Sequence, residues 1–273
     1  MNGTDSSVDE PILVSWPREH VALMTLNRPA HLNALTQPMV EGIAATVRRL
    51  ASASACRVVV MTGAGRGFCA GLDIPDHLAR TAGRVRGSGE RLDNQERFAD
   101  MVRAVRSVQK PVIAAVNGPV AGAGFGLALS ADIRLASPSA RFHVAAIKIG
   151  LSAGECGISY HLPRYVGASR ALEIMLTGRP IDAEEADRIG LVSRVVPEDE
   201  LMAATLETAD AIAANSPFAV RMTKQIAWTN LHATLDEALE LENRTQILAI
   251  TTKDSQEAMR AFTEKRPPVF TGE

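Results

Sequence analysis

The chain is short of cysteine, of excess charge and of long apolar runs, and each shortage closes off a class of protein. Its three cysteines, Cys56, Cys69 and Cys156, are odd in number and far apart with no CxxC pair, so neither a disulfide framework nor a zinc site is indicated, and a reducing cytoplasm is the expected compartment. Basic and acidic residues nearly cancel, 29 against 31. Nothing in that balance favours nucleic acid or an anionic membrane as the main partner, although a small anionic ligand remains compatible with it. No apolar stretch approaches the roughly 20 residues a spanning helix needs. The first ten residues are polar and acidic rather than a basic segment followed by an apolar core, so neither secretion nor membrane insertion is expected.

What remains is 273 residues, 46% hydrophobic and 22% charged, enough for a soluble globular protein with a large core, as one large domain or a domain with an appendage. Residues 12–16 and 20–26 read as two short strands around a Pro17-Arg18-Glu19 turn. Residues 38–51 carry apolar side chains at helical spacing, with Arg48 and Arg49 on the polar face. Residues 57–62 (RVVVMT) and 111–116 (PVIAAV) are continuous apolar runs that end in glycine-rich loops, the pattern of buried strands. Between them, residues 81–90 are rich in Gly and Arg and predict a mobile loop, followed by a helix over 91–108. Residues 132–136 and 140–144 predict further strands. From about residue 155 onward the pattern is helical, interrupted by a strand-like piece at 191–196. Strand, strand, helix recurring through the first two-thirds, then helices, predicts an α/β core with a helical carboxy-terminal extension.

The two glycine-rich strand ends are where a ligand is expected. A strand that runs into glycines and then a helix leaves backbone N–H groups unpaired, and the missing side chains allow close approach of an anion or a developing anion. Gly63-x-Gly65-x-Gly67 and Gly122-x-Gly124-x-Gly126 both begin like a dinucleotide fingerprint, but the sixth positions are Phe68 and Leu127 and the distal acidic residue is missing. The bland alternative is that these glycines only permit tight turns and close helix packing. The string Gly150-Leu151-Ser152-Ala153-Gly154 has the GxSxG spacing but does not directly follow a predicted strand as a nucleophile elbow does, which argues against a serine hydrolase.

Several motifs occur together in one order: ALMTLNRPAHLNAL (22–35), VVVMTGAGRGFCAGLDI (58–74), KPVIAAVNGPVAGAGFGLALSADIRLAS (110–137), LPRYVGASRALEIMLTGRPIDAEEADRIGLVSRVV (162–196) and AFTEKRPPVF (261–270). Over nearly its whole length the chain resembles the enoyl-CoA hydratase/isomerase, or crotonase, superfamily. The resemblance implies an α/β fold of the crotonase type, a spiral of ββα units over residues 1–196 with a helical trimerisation region over 197–273. It also implies a homotrimer or a hexamer, an acyl-CoA thioester as ligand, and no cofactor or metal beyond the coenzyme A of the thioester itself. Carried over by position, the N–H groups of Leu72 and Ala123 form an oxyanion hole for the thioester carbonyl; the family usually has glycine at the second place, where Ala123 keeps the donor and adds a methyl. His31 and Leu32, together with Ala70, Leu72, Asp73 and Ile74, match the segments that bind coenzyme A, chiefly through backbone. Phe262 and Lys265 match carboxy-terminal residues that reach the coenzyme, often from a neighbouring subunit. For Asp73 the residues themselves favour a helix N-cap, since Ile74-Pro75 and Leu78 follow it.

One departure bears on activity. Hydratases of this family use two glutamates, and their positions here are Gly126 and Ala146, so ordinary hydration, which needs a group to activate water and to supply a proton, is not expected. The acid left nearby is Glu155 in GLSAGECGISYHLPR (150–164), at or next to a position where double-bond isomerases and dehalogenating relatives carry an aspartate. As a general base on a bound enoyl-CoA it would take and return one proton; alternatively it is a first-turn carboxylate facing a helix dipole. His143, Cys156, Tyr160 and His161 are further candidates, each better read as packing or capping, with Cys156 the one that a helix N-terminus would acidify. Two functions follow: an acyl-CoA isomerase or unusual hydratase of fatty-acid metabolism that uses Glu155, or a catalytically inactive acyl-CoA-binding protein that kept the pocket. The acyl pocket is expected to draw its floor from residues 76–98.

Overall fold

A computed structural model describes residues 10–273. Nearly all of the polar amino-terminal segment on which the secretion argument rests lies outside that range. The chain enters through β1 (Ile12–Arg18) and β2 (Val21–Leu26), an antiparallel pair. It continues through α1 (Gln37–Ser52), β3 (Val58–Gly63), α2 (Ile74–Thr81), α3 (Ser88–Ser107) and β4 (Val112–Val116). Next come β5 (Pro119–Ala121), α4 (Gly122–Ser130), β6 (Ile133–Ala136) and β7 (Arg141–His143). Then follow α5 (Ile158–Val166), α6 (Ala168–Thr177), β8 (Ile181–Asp182), α7 (Ala183–Arg188) and β9 (Arg194–Val195). Four helices close the chain: α8 (Leu201–Ala213), α9 (Pro217–Asn230), α10 (Leu235–Ile250) and α11 (Lys253–Glu264).

The main sheet has the order β1-β2-β3-β4-β6-β9 and is parallel except for β1; a smaller sheet runs β5-β7-β8. The continuous apolar runs are explained by cover on both faces. Ala22, Met24, Val59, Met61, Val112, Ala114 and Val116 point into the larger core with α1 and α3, whereas Val21, Val58, Val60, Ile113 and Ala115 point into a second cluster under Leu201, Leu206 and Ala209 of α8. Alternate residues of each strand therefore serve different layers. The second face is covered by α8, which lies beyond residue 196 in the chain.

Three further expectations meet the structure with small changes. The 81–90 loop is shorter than its composition implied, since α2 ends at Thr81 and α3 already starts at Ser88, leaving 82–87 as the connection. The turn expected at Pro17-Arg18-Glu19 falls instead at Glu19-His20, because β1 runs on to Arg18 and His20 (φ 63°) takes the left-handed conformation; β5 and β8 are too short to leave a sequence pattern. The helix expected from residue 155 begins only at Ile158, because Cys156 (φ 46°) and Gly157 (φ 76°) are left-handed, a conformation that cannot continue a right-handed helix.

The loop 63–67 after β3 is knitted by two asparagines. Buried Asn33 donates from Nδ2 to Ala64 O (3.0 Å) and Gly67 O (2.8 Å) and accepts from the Arg28 N–H at 2.8 Å. Asn117, after β4, donates to Gly63 O and Gly65 O and accepts from the Gly63 N–H. Leaving a buried polar group unpaired costs roughly 1–3 kcal/mol. Asn33→Ala is therefore expected to lower stability by at least that much, seen as a lower urea midpoint at unchanged slope; an unaltered midpoint would contradict this account.

Candidate active site

Two loops meet where β3 and β4 end. Leu35 N–H donates to Gly71 O at 2.6 Å and Asp73 N–H to Leu35 O at 3.1 Å, a parallel bridge between Leu35 and Leu72. In such a bridge the intervening N–H of Leu72 faces the opposite side, away from Leu35. Cys69 bridges Val120 in the same way, with Ala121 N–H donating to Cys69 O at 2.9 Å. Ala123 is the second residue of α4, whose N-terminus has no side-chain cap, so its N–H is one of the donors that a helix start leaves without an intrahelical acceptor. The two loops lie backbone on backbone. A Cβ at Gly71 (φ 82°) would stand 2.6 Å from Ala121 O and 3.5 Å from Ala123 N, and one at Gly124 only 2.5 Å from Cys69 O. Glycine is required at both places for this approach.

A cavity of about 510 Å³ opens beside these donors. Ala70, Leu72, Ile74, Ala123, Ala145, Ala146, Ile149 and Leu151 give it an apolar wall, and Glu155 is the one carboxylate among its lining residues. The Glu155 Oε1 lies 3.4 Å from where a Gly122 Cβ would be, immediately next to Ala123. Half-buried, with no salt-bridge partner among the described residues, Glu155 has its carboxyl pushed above the ordinary carboxylate range by loss of solvent. It is not on the first turn of α5, which starts three residues later; the helix start beside its carboxylate is that of α4, at Gly122.

Gly126 explains how Glu155 gets there. A Cβ at this position would stand 2.3 Å from Cys156 O and 2.7 Å from Cys156 Cβ. The space that a side chain at 126 would take is filled by the backbone immediately following Glu155. Ala146, the other position at which hydratases carry a glutamate, is buried on the cavity wall with only a methyl to offer.

The remaining candidates separate cleanly. Burial, with the Glu155 carboxylate alongside, pushes the Cys156 thiol up to about 12, and burial does the same to Cys69, so neither is an acidified nucleophile. His143, Tyr160 and His161 do not line this cavity. The Tyr160 hydroxyl is 2.6 Å from His232 Nε2. His161 is buried behind the loop, with its pKa driven down to about 4 by burial and by Arg106, Arg134 and Arg164. Asp73 is an N-cap: its Oδ1 accepts from Asp76 N–H at 3.0 Å and its Oδ2 from Arg28 Nη1 at 2.9 Å. Burial opposes its ionisation, but these bonds outweigh it and hold the carboxyl below the usual range. Its side chain is thus spent on fixing the Leu72 loop. Leu32 touches that loop by accepting from Ala70 N–H at 2.9 Å, while His31 stands exposed beside it. Phe262, 87% exposed, and Lys265 at the end of α11 are not brought to the cavity within one chain.

Residue-level reading of the sequence missed the polar wall. His77 and Thr81 of α2, and Arg91, Asn94, Gln95 and Phe98 of α3, line the cavity, together with Arg84 and Arg86 from the connection between the helices. The spacing i, i+4 on α2 and i, i+3, i+4, i+7 on α3 marks one face of each helix, a signal present in the sequence but indistinguishable there from a solvated face. No cluster of three or more potential metal-ligating side chains occurs among the described residues.

The fold and the paired glycine loops define the class: the chain belongs to the enoyl-CoA hydratase/isomerase family, whose model matches residues 17–273. It is 42% identical over 269 residues to a Mycobacterium leprae protein named "Probable enoyl-CoA hydratase echA12", covering 97% of this chain and 91% of that one. It is 37% identical over 261 residues to 1,2-epoxyphenylacetyl-CoA isomerase of Escherichia coli K12, covering 95% of this chain and 98% of that one. The crystal structure of enoyl-CoA hydratase from Bacillus anthracis superimposes with a TM-score of 0.90 at 34% identity, over 97% of this chain and all of the other. The match extends to the whole architecture, so the fold is that of the crotonase superfamily.

The contact at Gly126 is directly testable. Gly126→Ala forces the Cys156 backbone outward and, as an overpacking change, is expected to cost about 1–3 kcal/mol, measured as a lower melting temperature. A melting temperature equal to that of the parent would show that the 154–157 loop is not seated as described.

Proposed function

We propose that this protein is an acyl-CoA enzyme that moves a proton along a bound enoyl thioester, with Leu72 and Ala123 as oxyanion-hole donors and Glu155 as the acid/base. The observation that carries the reading is the single unpaired carboxylate on an otherwise apolar wall, next to the helix-start donor Ala123. Glu155 as carboxylate removes a proton from the α- or γ-carbon, and the electron pair of that C–H bond moves through the conjugated system onto the thioester oxygen. Two backbone N–H groups hold the resulting enolate oxygen, each donor of this kind contributing about 2.7–4 kcal/mol to the barrier reduction. The protonated Glu155 then delivers the proton to the other carbon, and the carboxylate is restored. The net change is a shifted double bond with no redox partner and no net loss of atoms.

A raised pKa suits both halves of this cycle, because a group titrating nearer to neutral pH is a better base than an ordinary glutamate and still a competent acid. The coenzyme A portion is held along His31, Leu32 and the 70–74 loop. The subunit works as a homotrimer or hexamer in the cytoplasm, in fatty-acid metabolism, with Phe262 and Lys265 of one copy reaching the coenzyme bound by the next. Supporting the assembly, α10 has Thr245 as its one buried residue while Leu235, Ile247, Leu248 and Ile250 stand exposed.

The contrary reading, a binding protein without chemistry, rests on Gly126 and Ala146, where both hydratase acids are absent. One experiment separates the two. Glu155→Gln is expected to lower α-proton exchange of a bound acyl-CoA in deuterated water by roughly 10²–10⁴-fold, the span typical of a lost general acid/base, with acyl-CoA affinity little altered. No exchange in the parent protein establishes the binding-only reading.

The pH dependence has a definite sign. Because burial raises the Glu155 pKa, the active carboxylate form accumulates as pH rises through that raised value, so kcat/KM falls on the acid side at a pH above the ordinary glutamate range. In Glu155→Gln that limb disappears from the residual rate; an acid limb that persists unchanged assigns it to another group.

A further inference from the structure

The acyl cavity has two kinds of wall, and the second one is not that of a site for a plain hydrocarbon chain. Next to the Leu72 and Ala123 donors the lining is apolar, but Arg84 and Arg86 of the 82–87 connection and Arg91 of α3 also line the cavity, together with Asn94. Arg86 is the informative one. Its side chain is only 15% exposed, yet its carboxylate partner is shared: Glu90 Oε1 accepts from Arg86 Nε at 3.0 Å and from Arg84 Nη2 at 3.3 Å. Arg91, which is exposed, donates from Nε to the Arg86 carbonyl at 3.3 Å and has no salt bridge among the described residues. A guanidinium has five N–H donors; Arg86 spends Nε on Glu90 Oε1 and Nη2 on the Glu90 carbonyl at 3.3 Å, which leaves donors over, and for this largely buried arginine a charge withdrawn from water without a full partner is costly. A bound anion would relieve that cost.

Resting on the reading of this cavity as an acyl-CoA site, we infer that the preferred acyl group ends in a carboxylate, which Arg86 and Arg91 bind while the thioester sits against Leu72 and Ala123. Carboxylate recognition by paired guanidinium donors is charge-assisted and geometrically matched. A simple alkyl end placed on the same wall would bury the arginines against carbon and leave their donors unsatisfied. The phosphates of coenzyme A offer the same anionic chemistry, and they are the alternative source that the experiment must separate.

The test is equilibrium binding of two saturated thioesters of equal length, glutaryl-CoA and valeryl-CoA, with free coenzyme A as the third ligand. Hydrogen bonds to charged groups contribute about 1.5–3 kcal/mol, which at 1.4 kcal/mol per decade predicts that the parent protein binds glutaryl-CoA roughly 10–100-fold more tightly than valeryl-CoA. In Arg86→Gln and Arg91→Gln the ratio collapses toward one, and Arg91→Lys, which keeps the charge, recovers part of it. Equal affinities in the parent protein overturn the inference, whatever the variants do. A loss of all three ligands at constant ratio assigns the arginines to the coenzyme phosphates and equally overturns it. Since neither thioester needs to react, the ratio stands or falls separately from Glu155 chemistry: loss of α-proton exchange with an intact ratio removes the catalytic proposal alone, and no binding of any acyl-CoA removes both.

Discussion

The site depends on backbone approaching backbone in three layers. Gly71 lies against Ala121, Gly124 against Cys69, and Gly126 against Cys156, each at a separation that leaves no room for a Cβ. Close packing of this kind leaves N–H groups, rather than side chains, at the surface of the pocket, and a fixed N–H stabilises a developing oxyanion without reorganising. The same contacts set the position of every other group that matters. The Leu72 loop is held from behind by the Asp73 cap and Arg28, the Gly63–Gly67 turn by Asn33 and Asn117, and Glu155 by the seating of Cys156 on Gly126.

That last contact joins two features that look independent along the chain. A glycine at 126 is an absence of acid, and Glu155 is an acid in an unexpected place. In three dimensions they are one event, because the absent side chain makes room for the loop whose preceding residue is Glu155. Restoring a larger residue at 126 and keeping Glu155 at the cavity are therefore sterically opposed. The family relationship accounts for the scaffold, and this packing accounts for how the cavity differs from one lined by paired glutamates at 126 and 146.

The cavity also divides the labour of binding between its walls. Small apolar residues surround the thioester, where low polarity strengthens the N–H donors and raises the Glu155 pKa together. The polar wall of α2 and α3 carries arginines whose charge is incompletely matched within the chain. The proposed recognition of the acyl end is thus electrostatic, while the proposed reacting end is organised by shape and by backbone dipoles.

Much of this was legible from residues alone. Continuous apolar runs at 57–62 and 111–116 announced strands covered on both faces, and the glycine clusters after them marked the ligand-facing end, because those signals are local: periodicity, turn chemistry and the absence of Cβ. Asp73 as a cap could likewise be named from position, whereas Glu155 as the remaining acid was named through the family resemblance. Three things were decided only by tertiary structure. Glu155 stands outside α5, since left-handed Cys156 and Gly157 delay the helix. α8 belongs to the core, since the second face of the sheet needs cover. Arg86 and Arg91 line the acyl cavity, since an arginine among glycines reads as solvated loop until α2 and α3 fold over the sheet. Local pattern thus specified the buried strands and the glycine-rich turns after them, whereas which charged side chains line the cavity depended on distances between segments remote in the chain, and no local pattern encodes those.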